Sequence, residues 1–162
     1  MKQSIIKTAL LFFVVMFVIT TGCQQQKDYS KELKPLFDKY MEAWRTGNVD
    51  GLEEIFDSKF VRHSDKGSSA NNLEEMKKVI TEFKNSFPDA KLISEEEIFT
   101  ENKFSGRWSF TATSNGKPVS QWGINIIHFK DGKMVEEWDS FDNASFMEQV
   151  GYTITEPADM KQ

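Results

Sequence analysis

Apolar positions follow three different rhythms along this chain of 162 residues. From Ala9 to Ile19 they form an unbroken run. From Leu33 to Phe87 they recur at three- and four-residue intervals, the spacing of helices with one buried face. From Lys91 onward they alternate, the spacing of half-buried strands. The first helical stretch carries Leu33, Leu36, Phe37, Tyr40, Met41 and Trp44 on one wide stripe and stops at Gly47. Asn48 then offers a cap for a shorter second helix with Leu52, Ile55 and Phe56 inward. A brief extended piece, Lys59 to His63, and a polar loop, Ser64 to Asn71, lead to a third helix. There Asn72, with Glu75 three residues on, has the form of a capping box; Leu73, Met76, Ile80, Phe83 and Phe87 point inward, and Pro88 ends the element.

The alternating half predicts strands at 91–100, 103–114, 118–130 and 133–142. Asn115-Gly116 and Asp131-Gly132 supply the residues that tight hairpins require at positive φ. The second strand sends Phe104, Gly106, Trp108, Phe110 and Ala112 to one side, so one face of the sheet needs a cover, and the amphipathic helices are available for it. The third strand is apolar on both faces, with Trp122, Ile124 and Ile126 opposite Ile127 and Phe129. Helices on one side and a second copy of the chain on the other would bury both, which makes a homodimer through the sheet an expectation.

The opening run has a different meaning. Lys2 and Lys7 precede it, it is shorter than the ~20 apolar residues of a membrane-spanning helix, and it ends at Thr20-Thr21-Gly22-Cys23. A basic segment, an apolar core and small residues before a cysteine predict a bacterial lipoprotein signal, the alternative being a plain signal peptide with a fortuitous cysteine. Residues 1–22 are then the signal, Cys23 the lipidated residue, 23–31 a flexible tether, 32–152 one domain and 153–162 a tail. Cys23 is the only cysteine, so no disulfide forms within the chain, and acylation would tether the protein to a membrane in the cell envelope, outside the cytoplasm. The formal charge of −5 becomes more negative once Lys2 and Lys7 leave with the signal. An acidic domain without a basic stripe is not a nucleic-acid binder. Two histidines and a lipidated cysteine leave no metal cluster.

Three stretches carry a family likeness: Tyr40-Met41-Glu42-Ala43-Trp44-Arg45-Thr46-Gly47-Asn48, Phe87-Pro88-Asp89, and Phe129-Lys130-Asp131-Gly132-Lys133-Met134-Val135-Glu136-Glu137-Trp138. Together with the closing Gln149-Val150-Gly151 they resemble the SnoaL-like polyketide cyclases of the nuclear-transport-factor-2-like superfamily, over about Leu33 to Tyr152. The resemblance implies an α+β fold in which a cone-shaped curved antiparallel sheet wraps around a cavity closed by three N-terminal helices. It further implies a small hydrophobic ligand and, for the enzymes among such proteins, cofactor-independent cyclase, isomerase or hydratase chemistry with a carboxylate in the cavity. The loop at Asn115-Gly116 is shorter than the cyclases' usual insertion, which weakens transfer of their substrate.

The resemblance selects Asp139 and Phe141 as the cavity face of the last strand; the alternative for Asp139 is an exposed strand carboxylate. Asp142 lies where cyclase-like members keep an aspartate, yet it also precedes Asn143-Ala144-Ser145-Phe146 and could simply cap a helical turn. His63 falls near the isomerases' base after an offset of one residue, and is otherwise a rim histidine. Tyr40 matches a tyrosine that stabilises an oxyanion in those isomerases, the alternative being a core tyrosine with its hydroxyl near the rim, and Asn125 falls near their acidic donor. Trp44, Trp108, Trp122 and Trp138 either pack the core or line the pocket for a flat ligand. A buried carboxylate here would serve as general acid or base, because burial raises its pKa towards neutrality. The competing function is a non-catalytic ligand-binding or protein-interaction lipoprotein of the envelope.

Overall fold

A computed structural model describes residues 27–64 and 67–155; the signal, Cys23, residues 24–26 of the tether and the end of the tail lie outside them. Helix α1, Ser30–Thr46, buries Leu33, Phe37, Tyr40, Met41 and Ala43 along one face. It ends at Gly47, whose left-handed backbone (φ 77°) lets its N–H reach the Ala43 carbonyl. Helix α2, Leu73–Ser86, begins as the capping box requires: Asn72 Oδ1 accepts from the Glu75 N–H at 2.9 Å. Four strands, β3 (Lys91–Thr100), β4 (Lys103–Ser114), β5 (Lys117–Lys130) and β6 (Lys133–Phe141), fall within a residue of the predicted spans at every end. A short helix α3, Asn143–Gln149, follows.

Four expectations are corrected. The second predicted helix is a single 3-10 turn, Leu52–Glu54, because Gly51 at φ 71° redirects the chain and the strand β1, Phe56–Ser64, starts immediately. Leu52, Ile55 and Phe56 are still buried, so the apolar triplet is satisfied by a turn and a strand together. Asn48 closes a local turn instead, accepting from the Asp50 N–H at 2.9 Å. Second, the polar loop contains a short strand, β2 (Gly67–Ala70), paired antiparallel with β1. Third, the sheet is mixed, in the order β2-β1-β6-β5-β4-β3, with β1 parallel to β6 and every other pair antiparallel. One of the three helices is also C-terminal, where an N-terminal trio was expected.

Helix α1 contacts β3 and α2, α2 contacts β1 and β2, and α3 contacts β5. The main core gathers Phe37, Phe56, Phe60, Met76, Ile80 and Phe104, all 1 % exposed or less. A smaller cluster around Phe110, Ala112 and Val119 sits towards α3, with Phe83, Phe87 and Phe146 packed on it. On β5 the odd-numbered positions Gln121 to Phe129 are buried and the even-numbered Trp122, Ile124 and Ile126 are exposed, as the two-faced pattern required. Among the described residues no helix is long and apolar enough to cross a membrane.

Candidate functional site

A cavity of about 240 Å³ is bounded by α1, α2, α3 and the inward face of the sheet. Its walls are aromatic, with Phe37, Trp44, Phe83, Trp108, Phe110 and Phe141 among them. Five polar residues also line it: Tyr40, Arg62, Asn125, Glu137 and Asp139.

Strand pairing puts the polar groups together. The parallel register sets Arg62 of β1 opposite Glu137 of β6, and the β5–β6 register sets Asn125 opposite Asp139. Glu137, with its side chain 2 % exposed, is met by three donors. Tyr40 Oη donates to Oε2 at 2.7 Å, Arg62 Nε to the same oxygen at 3.2 Å, and Asn125 Nδ2 to Oε1 at 3.0 Å. Because an ionised carboxylate can only accept, the amide of Asn125 must turn its NH2 towards Glu137. Asp139, equally shielded, receives Arg62 Nη2 on Oδ2 and Trp108 Nε1 on Oδ1, both at 2.7 Å. Arg62 Nη1 donates to Ser69 Oγ at 3.0 Å, and its guanidinium carbon lies 5.7 Å from the centre of the Trp44 ring. One arginine thus ties two carboxylates into a single network, the arrangement that lets charge persist where water is scarce.

The protonation chemistry follows from these contacts. Burial, and then the neighbouring Glu137 carboxylate, push the Tyr40 phenol well above its ordinary range. Burial opposes the charge on Arg62, but Glu137 and Asp139 outweigh it and hold the guanidinium protonated. Tyr40 therefore contributes stability that is intact below about pH 10, the titration point of an unfolded tyrosine, and declines as pH rises towards the higher folded value. Urea midpoints should fall between pH 9 and pH 11 more steeply for the wild type than for Tyr40→Phe; parallel declines in the two proteins would contradict this.

The expected site residues divide sharply. Tyr40, Trp44, Trp108, Asn125, Asp139 and Phe141 come together at the cavity. Asp142 does not: it is exposed and caps α3, accepting from the Ser145 N–H at 3.0 Å. His63 lies on the opposite face of the sheet, its ring stacked 3.9 Å from that of Trp138 and its Nε2 3.0 Å from Glu136 Oε1. Trp122 and Trp138 are on that outer face too, 60 % and 51 % exposed, because successive residues of a strand point to opposite sides. The one-residue offset needed to align His63 has a plain cause, since the inward residue of that strand is Arg62. Arg62 and Glu137 went unrecognised in the sequence. Glu137 shares its strand face with Asp139 and Phe141, and two acids on an inward face signal a cation to be found.

Residues 35–150 match the family model described as SnoaL-like polyketide cyclase. Among solved structures, a candidate polyketide cyclase of Bacillus cereus is 27% identical over 74% of this chain and 80% of its own, with a TM-score of 0.67. A candidate polyketide cyclase of Acidithiobacillus ferrooxidans (17% identity, 76% of this chain and 97% of that one, TM-score 0.66) has the same fold. So has AclR, a candidate hydroxylase of Streptomyces galilaeus (23% identity, 79% and 90%, TM-score 0.65). No curated protein matches the chain.

Proposed function

This chain belongs to the SnoaL-like polyketide cyclase family, and from that membership and the cavity we propose that it binds a small hydrophobic molecule and performs acid–base chemistry on it without a cofactor. One observation carries the reading: Asp139, a carboxylate 6 % exposed, stands on the wall of an otherwise aromatic cavity. Asp139 takes and returns a proton beside a carbonyl of the ligand. Arg62 and Trp108 fix its orientation. Asn125 spends one N–H on Glu137; its second N–H is the donor we assign to the ligand oxygen as negative charge develops there. Tyr40 acts through Glu137 as a positioning residue. A volume near 240 Å³ lies below the ~300–1,000 Å³ of pockets that enclose drug-sized molecules, which favours one or two rings over a large polycycle.

Mass spectrometry of small molecules retained by the purified protein tests this. A recurrent ligand is expected, lost from Asn125→Leu, and converted by the wild type but not by Asp139→Asn. A second reading, a non-catalytic binding protein, draws support from the way both carboxylates are engaged by donors of the chain itself. Under it Asp139→Asn changes affinity and there is no conversion to lose.

We also place the protein at a bacterial membrane, outside the cytoplasm, through acylated Cys23, and as a homodimer through the outer face of the sheet. The sequence signal supports the first. The second draws on an exposed apolar band in which Ile93, Ile98, Trp122, Ile124, Ile126 and Trp138 stand on one face. Sedimentation should give a dimer that Trp138→Glu dissociates, and a wild-type monomer at high concentration would exclude the interface.

A further inference from the structure

Charge within the cavity is unbalanced. Its lining holds one cation, the Arg62 guanidinium, against the carboxylates of Glu137 and Asp139. Every placed donor of Arg62 is aimed at the chain's own groups: Nε at Glu137, Nη1 at Ser69 and Nη2 at Asp139. An anionic ligand would have to share this arginine with two buried carboxylates and would add its own charge to theirs. Negative charge on side chains as shielded as these, 2 % exposed, is instead stabilised by a positive charge brought in from outside.

The walls suit such a charge. Trp108 stands 5.7 Å from Phe141 and 6.3 Å from Phe110 between ring centres, and Trp108 also donates to Asp139. Aromatic rings attract organic cations through their quadrupoles. Trp44 already faces a cation in Arg62, whereas Trp108 is tied to Asp139, so its rings are the ones a ligand cation beside that carboxylate would meet.

We infer that the molecule held in this cavity is a small aromatic amine bound as its ammonium, seated between the Asp139 carboxylate and the rings around Trp108. This deepens the ligand-binding role in its non-catalytic form and rests on it, because Asp139 paired with an ammonium does not act as the base. A carboxylic acid of the same shape is excluded by like charge, and a neutral compound gains only from burial.

Calorimetric titration of the full-length protein with three isosteres separates the two claims: 2-naphthylmethylammonium, 2-naphthylmethanol and 2-naphthoate. The ammonium is expected to bind about tenfold more tightly than the alcohol, and the naphthoate more weakly than either. In Asp139→Asn the advantage of the ammonium should shrink to less than about twofold while the alcohol keeps its affinity. An alcohol that binds as tightly as the ammonium overturns the inference and leaves the cavity role standing. An ammonium advantage that survives Asp139→Asn overturns the assignment to that carboxylate. Failure of all three to bind overturns both. If the variant does not fold, the wild-type series alone decides.

Discussion

Replacing Arg62 with methionine is expected to destabilise the protein by about 3–5 kcal/mol, the largest loss of any single substitution at the site. The stem of methionine fills much of the same space, so the effect isolates the charge. Glu137 and Asp139 are each 2 % exposed in their side chains, and Arg62 is the cation that meets both. Without it, two carboxylates remain side by side in a cavity walled by rings, and neither can recover full hydration. Urea unfolding should show a lower midpoint with an unchanged slope. Adding Glu137→Gln and Asp139→Asn to Arg62→Met should restore most of the stability, because the variant then holds polar groups in place of uncompensated charges. A loss below about 1 kcal/mol for Arg62→Met, the size of an exposed pair, would mean that water reaches the cluster and that the cavity is not dry.

Gly123→Ala should be the second most damaging change, and it acts on the site without replacing any of its polar side chains. A methyl at Gly123 would lie 2.5 Å from Trp108 Cζ2 and 2.6 Å from the Ser140 carbonyl oxygen. The carbonyl belongs to the neighbouring strand, so the indole must move, and with it the 2.7 Å bond from Nε1 to Asp139. Overpacking of this kind costs about 1–3 kcal/mol. Binding of any cavity ligand should weaken at least tenfold, since both a wall and the orientation of Asp139 shift. Trp108→Phe shortens the ring and tests the cause: Gly123→Ala should cost markedly less in that background. Equal costs in both would place the clash at the backbone and not at the indole.

How much of this was written in the chain depends on the range of the interaction. The hairpins at Asn115-Gly116 and Asp131-Gly132 and the capping box at Asn72 are contacts within a few residues, and each sits where the spacing put it. The inward face of β6 was available from the family resemblance, and alternation then carried Asp139 and Phe141 to the cavity. Arg62 was hidden because nothing near it in sequence explains it. Between Val61 and His63 it reads as one more surface charge, and its partners are 75 and 77 residues away. Alternation with the buried Phe60 turns it inward, but the parallel pairing of β1 with β6 supplies the acids that hold it there, and a parallel neighbour leaves no local trace. The same slip of one residue sent His63 outward, since strand faces invert at each step. Trp122 and Trp138 show the complementary limit: an aromatic residue on a strand fits a cavity wall and an exposed interface equally well.

The parallel junction also orders events in time. The carboxylates stand on β6, Asn125 on β5 and the guanidinium on β1, so the site has no partial version in a shorter nascent chain. A ribosome-bound fragment ending before Lys133 would hold Arg62 without either acid and would leave one edge of β1 unpaired. Loop closure over such a separation is slow compared with hairpin formation. The β3–β4–β5 meander can therefore assemble first, and docking of β1 against β6 becomes the step at which a folded sheet first acquires a pocket able to hold anything.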